Sequence, residues 1–208
     1  MIFCRGLETR RKLKEEYDLK PIAHVRLLTG QQRRSCTGNL LTDSYYCFSY
    51  KKHNGKDEGD FLCGEHAATS FLELTGHKKI PLFDPLSHQG TLKAGKNIDS
   101  ISSAEKWNPI AKQLYDAINL LLICWGSMPG QALRDISEKL LKYKNCPPFP
   151  SQIKAVNIVI SKDKKERTLN QMLDELRIQN KSLRQFDFSL LTHVLKEEKV
   201  EKTFFFKY

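Results

Sequence analysis

The stretch SCTGNLLTDSYYCFSYKKHNGKDEGDFLCGEHAATSFLEL, residues 35–74, decides how the amino-terminal part of this chain folds. Ser44–Lys52 is rich in aromatic residues, the composition of a strand that packs against others. HNGKDEGD (53–60) then breaks the pattern as a turn, and FLCG brings a short strand back. From Glu65 the spacing of Ala67, Phe71 and Leu74 marks one face of a helix that Gly76 stops. The local order is strand, turn, strand, helix.

Three of the six cysteines lie in this stretch, and Cys63 is followed by His66, giving the spacing C-x10-C-x15-C-x2-H. A zinc ion takes four N or S ligands at tetrahedral corners. A Cys-x2-His pair across a strand–helix junction can aim two of them at one point. The expectation is therefore a structural Zn2+ held by Cys36, Cys47, Cys63 and His66. A closed Cys3His shell leaves no position for water or substrate, so such a metal stabilises the fold and does not react. Cys4, Cys124 and Cys146 read as packing or incidental residues.

Upstream, residues 9–17 read as a short polar helix and 22–30 as a strand. The longest apolar run, 117–125, is too short to span a bilayer. MIFCRGLETRRKLKEEY has no apolar core of a secretory signal, so the expected location is cytoplasmic. There, cysteines are free thiols or metal ligands and not a disulfide framework.

Residues 76–100 hold glycines and prolines without any period and read as a loop. Domains are expected at 1–80 and 101–208, with 81–100 as linker. A capping box at Ser102–Glu105, or Asn108 with Pro109 first in the helix, opens a strongly amphipathic helix reaching Trp125. A second helix spans 131–144, completing a helical hairpin. NCPPFP breaks the chain, and the β-branched run 152–161 is expected to be a strand. Thr168 and Gln171 cap a further helix, 187–197 is another, and the aromatic terminus reads as a paired strand. The expected class is α+β: a small zinc-stabilised ββα unit, a helical hairpin, and a mixed β-α-α-β carboxy-terminal part.

The net charge is +10, with nine Lys/Arg against four Asp/Glu in residues 1–34 and twelve against eight in 151–208. Basic surfaces track phosphates by Coulomb attraction and counterion release. Arg10, Arg11, Lys12, Lys14, Arg33 and Arg34 are the expected phosphate strip, and Tyr45, Tyr46, Phe48 and Tyr50 offer faces for base stacking. The sequence thus points to a non-enzymatic nucleic-acid-binding or accessory protein, with no membrane contact. Two other readings are open. One is a protein-interaction adaptor using the helical hairpin and the 80–86 loop. The other is a ββα-type metal-dependent nuclease, with His53 activating water and His66 holding the cation. No nucleotide-binding loop, nucleophile elbow or kinase signature is present.

Overall fold

Ser44–Gly76 folds in the order expected of it. In a computed structural model that describes residues 2–86, 107–126, 130–199 and 205–206, the chain runs α1 (Leu7–Glu16), β1 (Tyr17–Arg26), β2 (Arg33–Arg34), β3 (Leu40–Leu41), β4 (Ser44–Lys52), β5 (Glu58–Cys63) and α2 (Glu65–Thr75). It continues through α3 (Pro109–Trp125), α4 (Gly130–Lys142), α5 (Pro150–Ile160), α6 (Leu169–Gln179) and α7 (Ser189–Glu197). The fold is α+β, seven helices with a small antiparallel sheet of order β1-β4-β5 and a two-stranded β2-β3 ladder among the described residues. It divides into two compact units: residues 1–84 with 125–134, and residues 85–124 with 135–208.

In the first unit β4 is the central strand, and this explains its composition. Tyr45, Tyr46, Cys47 and Phe48 are all buried, so both faces of the strand are covered. Tyr46 and Phe48 share one face with Phe61 of β5. Phe71 of α2 packs there, its ring centroid 5.5 Å from Phe48 and 5.3 Å from Phe61. Tyr45 and Cys47 occupy the other face. Alternation would have turned some of these rings to solvent, but a central strand buried on both sides does not alternate. α2 ends at Gly76, whose φ of 71° closes the helix in the left-handed region. The 80–86 segment is pinned to β1: the Phe83 amide donates to the His24 carbonyl (2.8 Å), and the Arg26 amide donates to that of Phe83 (3.0 Å).

In the second unit the Asn108 side chain accepts from the amides of Ile110 (3.0 Å) and Ala111 (3.2 Å), and Pro109 is the first residue of α3. The alternative start at Ser102–Glu105 lies outside the described residues. Thr168 and Gln171 form the expected capping box: the Gln171 amide donates to Thr168 Oγ1, and the Thr168 amide to Gln171 Oε1. The 152–161 run is a helix and not the expected strand. Pro150 sits at its first position and the Phe149 amide donates to Gln152 Oε1 (2.9 Å), fixing a helix start. Its buried residues, Ile153, Val156, Asn157 and Ile160, recur at helical spacing. β-branched composition was the misleading signal, and the start signal outweighed it. Of the expected carboxy-terminal strand, only 205–206 are described, and they form a turn. There the Phe205 amide donates to Asn157 Oδ1 (2.8 Å) and Phe206 is fully buried.

Candidate functional site

The four expected zinc ligands do not meet as a set. Cys47 pairs with Leu62 across the β4–β5 ladder, while Cys63 pairs with Tyr46. Residues directly opposite share a face and successive residues alternate, so the Cys47 and Cys63 side chains lie on opposite faces of the sheet. Cys36 is joined to Cys4 by a disulfide, with Cα atoms 5.4 Å apart. This corrects the expectation that every thiol is free or a metal ligand, and it corrects the reading of Cys4 as incidental. The Cys4 amide donates to the Cys36 carbonyl (3.0 Å), which sets the two cysteines side by side. His66 is exposed in the first turn of α2. Among the described residues no group of three or more His, Cys, Asp or Glu side chains stands as a metal-holding cluster.

The expected phosphate strip is also divided. Arg10 is buried at 6% exposure. Its Nε donates to Ser70 Oγ (3.0 Å) and its Nη1 to the Cys4 carbonyl (3.2 Å). Arg11, Lys12 and Lys14 are exposed on α1, but so are Glu8, Glu15 and Glu16, and Arg11 pairs with Glu8 at 2.6 Å. Arg33 is half-buried and Arg34 exposed on β2. Tyr45, Tyr46 and Phe48 are buried and have no free face for a base. His53 and His66 stand at opposite ends of β5, which at about 3.3 Å per residue is roughly 20 Å.

Two polar constellations on the sheet remain. Arg134 Nη1 donates to Asp60 Oδ1 (3.0 Å), and Asp60 Oδ2 lies 4.0 Å from Cys47 Sγ. Burial raises the Asp60 carboxyl above its ordinary range, against the pull of Arg134. The second centres on His24, which stacks on Tyr46 with centroids 3.9 Å apart and rings 15° from parallel. Its Nδ1 is 3.2 Å from the Ile80 carbonyl, and its Nε2 is 3.8 Å from Glu65, which also pairs with Lys79 at 2.9 Å. Burial lowers the His24 pKa, while the Ile80 carbonyl and Glu65 oppose that shift.

The sign of its effect on stability follows. Below the ordinary histidine value of about 6.5, the unfolded chain takes up a proton that folded His24 resists, so this histidine makes stability fall as pH drops. His24→Phe keeps a ring on Tyr46 and carries no proton. Thermal melts between about pH 8 and pH 5.5 should show a shallower decline in the variant than in the wild type. Equal slopes would contradict this role.

The feature with the most exposed chemistry lies in the second unit and was not singled out from the sequence. A groove of about 420 Å³ follows the end of α4 across the Cys146-Pro147-Pro148-Phe149 link to Gln152. Lys139 and Leu140 line one end of it. Two aromatic rings stand out of it, Tyr143 at 53% exposure and Phe149 at 73%. The Lys142 ammonium sits 5.2 Å over the Tyr143 ring centroid, within cation–π range. A signal was available in the sequence: residues 139–162 carry five lysines and no Asp or Glu. Lys154 is one of them and pairs with Glu198 at 2.8 Å; Lys139 lines the groove, and Lys142 and Lys144 flank Tyr143 in the chain.

One family model, described as "Uncharacterised conserved protein UCP028583", matches residues 3–203. No curated protein and no solved structure matches the chain. No described helix is long and apolar enough to cross a membrane.

Proposed function

On the premise that the chain belongs to that family over nearly its whole length, we propose that it is a non-enzymatic nucleic-acid-binding protein that grips a single strand along the groove from Lys139 to Gln152. The observation that carries this reading is the pairing of exposed rings with a run of lysines, in a stretch, residues 139–162, that holds no Asp or Glu. Tyr143 and Phe149 offer faces on which bases stack, and Lys139, Lys142 and Lys144 supply charge for the backbone phosphates. Single strands need both, since charge holds the backbone without regard to sequence and every base has a π-face. A duplex hides those faces, so the groove favours unpaired bases.

The test is a titration of a labelled oligothymidine or oligouridine, followed by fluorescence anisotropy at several salt concentrations. Single-strand binding loses log K with log salt at about 0.7 per phosphate contacted, so three lysines should give a slope of about −2. Affinity indifferent to salt would favour an apolar protein partner on the helical hairpin instead. Absence of binding at low salt would remove the reading.

A further inference from the structure

The second unit holds another cavity, about 400 Å³, within the size range of small-ligand pockets. Three phenylalanines line it. Phe188 and Phe206 are buried with ring centroids 6.2 Å apart, and the half-buried Phe186 lies parallel to Phe188 within 4°. One face of α7 completes the lining, since Ser189, Thr192, His193 and Lys196 recur at helical spacing. The polar groups differ in what they have left to offer. Asp187 is taken up by its own chain: Oδ1 accepts from the Ser189 amide (2.9 Å), and Oδ2 accepts from Ser189 Oγ (2.8 Å) and Gln113 Nε2 (3.3 Å). His193 Nε2 faces Glu197 at 3.2 Å. The exposed Lys196 ammonium has no ion pair among the described residues, and the half-buried Asn170 side-chain amide has no hydrogen bond among them.

We infer that this cavity binds a nucleoside monophosphate, with its base against the Phe186 and Phe188 rings, Asn170 bonded to the base edge and Lys196 on the phosphate. The lining asks three things of a ligand: a planar ring, an edge that forms hydrogen bonds, and a negative charge. Aromatic side chains attract a further ring by face or edge. An asparagine amide both donates and accepts, which matches a base edge that carries donors and acceptors together. Spacing decides where the charge belongs. Lys196 stands seven residues beyond Ser189, about 10 Å along α7. A helical side chain leans back over the turn before its own Cα, so the ammonium returns to within about 5 Å of the level of Ser189, next to the rings in the chain. The anionic group must therefore be held off the ring by a short spacer. The sugar of a nucleotide is such a spacer, and an aryl carboxylate has none. The cavity shares no lining residue with the groove from Lys139 to Gln152, so this inference does not rest on the single-strand reading.

The test is equilibrium dialysis of the full chain against uridine 5′-monophosphate, with uridine, inorganic phosphate and benzoate measured alongside. The nucleotide should bind more tightly than each of the other three. Lys196→Gln, at an exposed position where the fold is indifferent to the change, should weaken the nucleotide by about tenfold and leave uridine as it was. Asn170→Ala should weaken nucleotide and nucleoside alike. No uptake of the nucleotide at millimolar concentration would overturn the site, and so would benzoate or inorganic phosphate binding as tightly as the nucleotide. An affinity that survives Lys196→Gln but falls in Tyr143→Ala would also overturn it, because the nucleotide would then sit in the groove.

Discussion

Arg134→Ala should destabilise the first unit by about 3 kcal/mol, toward the lower end of what removing one partner of a buried ion pair costs. Arg134 is 10% exposed and Asp60 22%, at a contact of 3.0 Å. Removing the guanidinium leaves the Asp60 carboxylate with the Cys47 thiol beside it, 4.0 Å away. It also removes the hydrogen bond that Gln131 Oε1 accepts from Arg134 Nε. At about 2–4 °C per kcal/mol for a chain of this size, the melting temperature should fall by roughly 6–12 °C. The pH dependence identifies the cause. Burial already holds the Asp60 pKa above its ordinary range, and without Arg134 nothing there opposes that shift. A carboxyl whose folded pKa is raised weakens the fold above that pKa, and protonation relieves the strain as pH falls through it. The deficit of the variant should therefore shrink in acid. Replacing the pair together, Asp60→Leu with Arg134→Met, should recover most of the loss, because no charge is then left unpaired. A deficit independent of pH would mean that Arg134 matters through packing alone.

Tyr143→Ala and Phe149→Ala should each weaken single-strand binding by about 1–3 kcal/mol, the range measured when a stacking ring is removed. At about 1.4 kcal/mol per factor of ten, that is several-fold to about a hundredfold for each ring. The fold should not change, because rings 53% and 73% exposed bury little apolar surface. The two parts of the interaction also separate. Lys142→Gln should flatten the salt dependence of binding, whereas Tyr143→Ala should lower affinity with the salt slope intact, since rings release no counterions. A loss confined to the lysine variants would leave the rings as bystanders.

The elements that could be read from the sequence are those with a punctuated start and stop. A polar turn divides β4 from β5, α2 stops at a left-handed glycine, and α3 and α6 begin at side-chain caps. α5 could not be read by composition, since Ile, Val and Ile suit a strand as well as a helix. Its helical state rests on Pro150 and on one hydrogen bond to Gln152. Burial of the aromatic strand depends on its central position, a property of the pairing order β1-β4-β5 and not of the strand itself. The disulfide partner of Cys36 was hidden for the same reason: Cys4 lies 32 residues away and reaches it by a backbone hydrogen bond. Arg10 shows the limit of counting charges. It belongs to a basic-looking run, and the fold uses it inside. The groove was legible in principle, through lysines without acids, but the exposure of its rings was not: Tyr143 follows the end of α4 and Phe149 precedes the start of α5.

The most direct measurement is the affinity of one labelled single-stranded oligonucleotide for the wild type and for the Tyr143→Ala/Phe149→Ala double variant, side by side at low salt. The expected result is measurable binding by the wild type and a fall of at least about tenfold in the double variant, with both proteins equally folded. Equal affinity of the two proteins, or no binding by either, would contradict the assignment of this groove to nucleic acid.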